Sequence, residues 1–143
     1  LTDFSFLSHT QKGAKIANSV EPKKKPRSSM APTMVFKDSQ LVGVLGSPGG
    51  SRIICYVSKT LFYLINFNLS LEEAINLPHL CSRNKFSEIE KTELKYDATS
   101  SLRLLGHDIT KKEMNSGLNV IWKYGNFWGG ISDHRREGVA VGF

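Results

Sequence analysis

The chain has 143 residues, 40% of them hydrophobic and 22% charged, which fits one domain with one core and excludes an intrinsically disordered composition. Its formal net charge of +6 suits anionic partners, whether nucleic acid, acidic lipid or a small carboxylate, without choosing among them. The most apolar run, Ile53 to Leu69, is broken by Ser58, Lys59 and Asn66 and lacks the ~20 apolar residues that a membrane span requires.

The chain opens on Leu1 rather than Met and shows no charged-then-apolar leader, so its start reads as a cut inside a longer product. Leu1 to Pro26 has little periodicity, and Ser19 to Pro26, with its turn residues and three lysines, reads as a surface loop. Thr33 to Phe36 and Leu41 to Leu45 are β-prone runs separated by the polar Lys37-Asp38-Ser39-Gln40, the pattern of a hairpin. Ile53 to Phe67 is apolar nearly all round and predicts a helix covered on several sides, between layers. Ser70 with Glu73 three residues later predicts a capping box ahead of a helix over Leu71 to Leu77, stopped by Pro78.

Asp97 reads as the cap of a short helix running through Leu105, with Gly106 as its stop and Leu102 and Leu105 as its apolar face. Asn119 to Tyr124 and Phe127 to Ile131 read as strands joined by a primed turn at Gly125-Asn126. Val139-Ala140-Val141 reads as a last short strand. Grouped strands and helices favour an α+β fold of stacked layers, a single domain over residues 1–143.

Two cysteines make neither a disulfide framework nor a metal-ligand spacing, so Cys55 and Cys81 read as free thiols, the first a small core residue and the second in a polar loop. His9, His79, His107 and His134 have no ligand spacing for a metal and read as surface or turn residues. The segment Gly46-Ser47-Pro48-Gly49-Gly50-Ser51-Arg52 lets backbone N–H groups approach a ligand at the join of a strand and a helix, an anion-site geometry. It lacks the Lys-Ser/Thr ending of a phosphate loop and the spaced glycines of a dinucleotide fingerprint. Taken alone, these glycines serve a tight structural turn as well.

Four segments in order narrow the choice: Asp3-Phe4-Ser5, Ser28-Ser29-Met30, Gly46 to Ile53, and the closing run Asp133 to Phe143, which contains Arg135-Arg136-Glu137-Gly138. Together they resemble the C-terminal part of the small subunit of γ-glutamyltranspeptidases (glutathione hydrolases), over nearly the whole chain and most weakly between Cys81 and Ser132, which would make residues 1–143 a C-terminal fragment of that subunit's domain. The resemblance implies part of an αββα four-layer sandwich of the N-terminal-nucleophile hydrolase type, built from two subunits cut from one precursor. It implies γ-glutamyl transfer from a donor such as glutathione to water or an amino acid, with no cofactor and no metal.

Carried over by position, Gly49 and Gly50 would supply oxyanion-hole N–H groups, Ser28 and Ser29 would bind the α-carboxylate of the γ-glutamyl group, and Asp3 its α-ammonium. The implied partners are the large subunit and the preceding part of the small subunit, and the implied location is periplasmic or extracellular. The family's nucleophile, an N-terminal threonine, is not among these residues: Thr2 takes the place of an aspartate, and Leu1 cannot substitute. By itself this chain is therefore expected to be inactive. Arg27 stands where the family has Leu, His134 where it has Pro, and Phe6 to Ala17 departs from the glycine-rich lid loop of some members. Two other readings stay open: an inactive truncated homologue, and a polyanion-binding module built on Lys23-Lys24-Lys25-Pro26-Arg27.

Overall fold

The computed structural model describes residues 4–82, 84, 86–92 and 98–142. Residues 4–32 form an extended approach to the domain, joined by two isolated bridges, Ser5 with Ser19 and His9 with Lys15. The expected hairpin follows as β1 (Thr33–Lys37) and β2 (Gln40–Gly46). Asp38 and Ser39 both sit at positive φ, 50° and 62°, the mirror-image turn whose twist matches paired strands. β6 (Asn119–Tyr124) and β7 (Phe127–Ser132) form the second hairpin, turning at Gly125 with φ 58°. The two hairpins join through β2 and β6 into one antiparallel sheet of order β1-β2-β6-β7.

Alternation sets the faces of this sheet. Val35, Leu45, Val120, Trp122, Tyr124 and Ile131 point inward against α1 (Ile53–Asn66) and α2 (Leu71–Asn76). α1 buries Ile53, Tyr56, Val57, Thr60 and Leu64, spaced three and four apart as one helical stripe. α2 carries the expected capping box: Glu73 N–H donates to Ser70 Oγ, and Ser70 N–H donates to the Glu73 carboxylate.

The opposite faces are open. Met34, Val44, Ile121 and Gly130 lie in register across the outside of the sheet, and Met34 and Ile121 are exposed. On α1, Ile54, Phe62 and Ile65 form an exposed stripe, so the helix expected to be covered on several sides is covered on one within this chain. The accessible surface is 10502 Å², against roughly 7,400 Å² for a compact monomer of this mass. The excess accords with the open faces of the sheet and of α1 and with the extended segment 4–32.

A second sheet, not evident from the sequence, combines β3 (Leu80–Ser82), β4 (Ser87–Glu90) and β5 (Ile109–Lys112). β3 and β4 are antiparallel, β4 and β5 parallel. Between them runs α3 (Ala98–Leu104), close to the expected short helix. Its expected cap, Asp97, lies outside the described residues, and Leu105 is 76% exposed, so the apolar face reduces to Leu102.

Three further expectations are corrected. Cys55 and Cys81 are not free thiols but a disulfide, with Cα atoms 5.4 Å apart. Cys81 is the more buried of the two, because it sits inside β3 rather than in a polar loop. His79 is fully buried rather than on the surface. Val139 and Val141 are exposed and form no strand, since no neighbouring edge pairs with them.

Candidate active site

β2 ends at Gly46, and the chain turns through Ser47-Pro48-Gly49 into one turn of 3-10 helix, Gly50–Arg52, which continues into α1. Gly49 adopts φ 144° and Gly50 φ 57°, backbone that side chains other than hydrogen rarely tolerate. Gly49 is required twice over: a Cβ there would lie 2.5 Å from Cε2 of Tyr56. At Gly50 a Cβ would meet nothing within 4 Å, so conformation alone selects glycine. Both N–H groups precede the helical ladder, and neither donates to a protein acceptor among the described residues. They are available to a ligand anion.

A cleft of about 580 Å³ lies over this turn, lined by Arg27, Ser28, Ser29, Met30, Pro48, Gly49, Gly50 and Ile53 among others. The sequence-predicted residues Ser28, Ser29, Gly49 and Gly50 thus share one cavity, although 20 residues or more separate the serines from the glycines. Ser28 Oγ accepts a hydrogen bond from Met30 N–H, a local turn that shapes the serine pair. Asp3, the fifth predicted residue, lies outside the described residues. Ser47 ties the turn to the segment leading into β6, since its Oγ accepts from Gly117 N–H at 3.1 Å.

Two buried polar clusters support the turn. Arg52, the last residue of the 3-10 turn, donates from Nε and Nη2 to the two carboxylate oxygens of Glu88 at 2.7 and 3.0 Å, and Lys112 adds a third contact at 3.1 Å. The Arg52 hydrogen bond holds the Glu88 carboxyl down at about 2. In the second cluster, Ser116 Oγ donates to Asp133 Oδ2 at 2.5 Å. Its oxygen therefore accepts from His79 Nε2, 2.7 Å away, which assigns the proton to that nitrogen.

Burial, reinforced by Lys59 and Arg135, pushes His79 down to about 3, so it is a neutral structural imidazole. Burial alone would raise the Asp133 carboxyl, but donation from Ser116 and from the backbone N–H groups of Arg135 and Leu118 outweighs it and holds the group below its usual range. Arg135 in turn donates to both Glu90 oxygens, to Asp133, and to the carbonyl of Ile75 in the last turn of α2. Histidine, serine and aspartate meet here, but the serine lies between the other two and the group is sealed from solvent. It is a brace, not a nucleophile with its base.

The sequence reading misses Arg52, Glu88, His79, Ser116 and Glu90 in these roles. Arg52 and Asp133 each lie within a motif singled out in the sequence, and that membership was the available signal. Glu88 and Glu90 flank a single apolar residue, Ile89, in a four-residue strand and carry no sign of the partners that neutralise them.

A strand, a glycine turn whose N–H groups have no acceptor among the described residues, and a helix form a geometry open to an anion or a polarised carbonyl oxygen, within an α+β chain. The Gamma-glutamyltranspeptidase family model matches residues 1–143. The glutathione hydrolase proenzyme of Bacillus subtilis (strain 168) is 34% identical over 146 residues, covering 99% of this chain and 24% of that protein. A mutant γ-glutamyltranspeptidase of Helicobacter pylori superposes with a TM-score of 0.79 at 31% identity, over 94% of this chain and 77% of that one. The Pseudomonas nitroreducens γ-glutamyltranspeptidase solved in complex with L-DON gives 0.81 at 27%, over 99% and 78%.

The chain belongs to the γ-glutamyltranspeptidase family and forms part of the N-terminal-nucleophile hydrolase sandwich of its solved relatives. It spans about a quarter of the length of that curated relative.

Proposed function

We propose that this chain is the donor-binding and oxyanion-stabilising part of a γ-glutamyl acyl-transfer enzyme whose nucleophile lies on a polypeptide outside these 143 residues. The observation that carries the reading is the single cleft shared by Ser28, Ser29, Gly49 and Gly50. In the parent enzyme a threonine hydroxyl attacks the γ-carbonyl carbon of a donor such as glutathione, and the carbonyl electron pair moves onto oxygen. Gly49 and Gly50 N–H groups hold that oxyanion, each such donor being worth about 3–4 kcal/mol in other acyl-transfer enzymes. Collapse expels the donor amine with a proton and leaves a γ-glutamyl ester, which water or an amino-acid amine then opens. Ser28 and Ser29 grip the α-carboxylate, and Asp3 pairs with the α-ammonium.

The polyanion-binding reading is less well supported, because the basic run is divided. Lys24 faces Glu21 at 3.6 Å, while Arg27 lines the cleft. A large subunit and the preceding part of the small subunit would cover the exposed α1 stripe and the open sheet face. A periplasmic or extracellular location accords with the disulfide, which persists in oxidising compartments.

The test is release of chromophore from a γ-glutamyl anilide. The 143-residue chain alone is expected to give no turnover, and the complete parent polypeptide to be active and to lose activity on Gly50→Ala. Turnover by the chain alone, abolished by changing Thr2, would overturn the assignment of the nucleophile; an inactive parent would favour the degenerate homologue.

A further inference from the structure

We propose that the Cys55–Cys81 disulfide and the Tyr56 ring form a clamp that positions the Gly49–Gly50 turn, so that the redox state of this cysteine pair governs the geometry of the turn's N–H donors. The catalytic consequence rests on the oxyanion reading above, but the clamp itself does not.

The turn presses directly on Tyr56. The ring approaches Gly49 so closely that no Cβ fits between them. Tyr56 is fully buried, yet among the described residues its hydroxyl has no hydrogen-bond partner. A buried tyrosine ordinarily satisfies its hydroxyl, so at this position the ring, rather than the polar tip, has the structural role. The same ring packs on the His79 imidazole with centroids 4.3 Å apart, and His79 is fixed through Ser116 to Asp133.

Cys55 directly precedes Tyr56 on α1, and Cys81 follows His79 by two residues on β3. The disulfide therefore joins the two segments whose rings meet beneath the turn. β3 has three residues, paired with β4 at three positions, and besides the disulfide its segment is tied to α1 by the Lys59 Nζ bond to the Leu77 carbonyl and by the Tyr56–His79 contact. Reduction by a dithiol, which becomes a cyclic disulfide as the Cys55–Cys81 bond takes up two electrons and two protons to give two thiols, releases α1 from β3 at that level. The Tyr56–His79 contact and the Gly49 seat above it then loosen together. Cys55 is only half buried, which leaves an approach for the reductant.

The experiment compares the 143-residue chain oxidised, dithiol-reduced, and as the Cys55→Ser/Cys81→Ser, Tyr56→Phe and Tyr56→Leu variants. It reads the ring-current shift of the Gly49 Hα protons and the backbone order parameters of Gly49 and Gly50. In the oxidised chain and in Tyr56→Phe, a displaced Gly49 Hα shift and order parameters of about 0.85 are expected. Reduction, the double serine variant and Tyr56→Leu should lower those order parameters below about 0.6 while the β6–β7 resonances stay in place. An unchanged turn after reduction, or two free thiols in the air-purified chain, overturns the proposal. So does a loss of β6–β7 signals along with the turn, which marks a general staple.

In the parent enzyme, reversible reduction should lower kcat by roughly ten- to a hundredfold with KM unchanged, the mark of misplaced transition-state donors. A loosened turn with unchanged kcat upholds the clamp and overturns the oxyanion assignment.

Discussion

Neutralising Glu88 offers the most direct measure of what holds the glycine turn to the second sheet. Its side chain is 3% exposed and accepts from Arg52 and Lys112, and the Arg52 hydrogen bond holds its carboxyl at about 2 against an ordinary 4.5. A carboxylate with a depressed folded-state pKa contributes stability that is fully present above its unfolded pKa and is lost as pH falls through the folded one. At 1.36 kcal/mol per unit, the contribution is about 3 kcal/mol, present above pH ~4.5 and withdrawn between there and pH ~2. Glu88→Gln removes this term and leaves Arg52 without its carboxylate, so the variant should be less stable at pH 7 by about 3 kcal/mol. Urea unfolding at a series of pH values, followed by circular dichroism, tests this. The gap between wild type and variant should narrow steadily below pH 4.5. Curves that run parallel from pH 6 to pH 2 would refute the argument, because Glu88 would then titrate alike in folded and unfolded chains.

Gly49→Ala combines a positive φ with an overlap on the Tyr56 ring, whereas Gly50→Ala meets only the backbone cost. Chemical denaturation should therefore show Gly49→Ala destabilised by about 3 kcal/mol and Gly50→Ala by about 1 kcal/mol, with the reverse order counting against the geometry. The open α1 stripe and the row Met34-Val44-Ile121 should make the isolated chain associate as concentration rises. Sedimentation velocity that reports a monomer at all concentrations would contradict this, and Ile54→Lys with Ile65→Glu should suppress the association.

What the sequence discloses and what it hides divide along the range of the interactions involved. Both hairpins, α1 and the α2 capping box are set by residues within a few positions of one another, and all are legible. Asp38-Ser39 makes its mirror-image turn without glycine or asparagine, yet the polar gap between two β-prone runs still marks it. The β3-β4-β5 sheet is not legible: its strands have three or four residues, and β4 exposes its logic only once Arg52 and Arg135 are seen to neutralise Glu88 and Glu90. The disulfide and the His79 brace fail for the same reason, since 26 residues separate the cysteines and 37 separate His79 from Ser116. The shared cleft is a middle case. Its four residues are legible as motifs, but nothing local states that the serines and glycines face one another.

The order β1-β2-β6-β7 has a consequence for synthesis. β2 ends at Gly46 and its partner β6 begins at Asn119, so about 70 residues must be translated before the sheet can close, at a chain-entropy cost of about 4 kcal/mol. At ribosomal speed this leaves several seconds during which the first hairpin presents an unpaired inner edge next to Val42 and Val44. Asp133 and Arg135, which brace the turn from below, emerge later still. A nascent chain stalled before them would hold an unsupported glycine turn, and one stalled before β6 an exposed strand edge as well, so the arrival of β6 and of Asp133 and Arg135 marks the point at which this sheet and turn are secured.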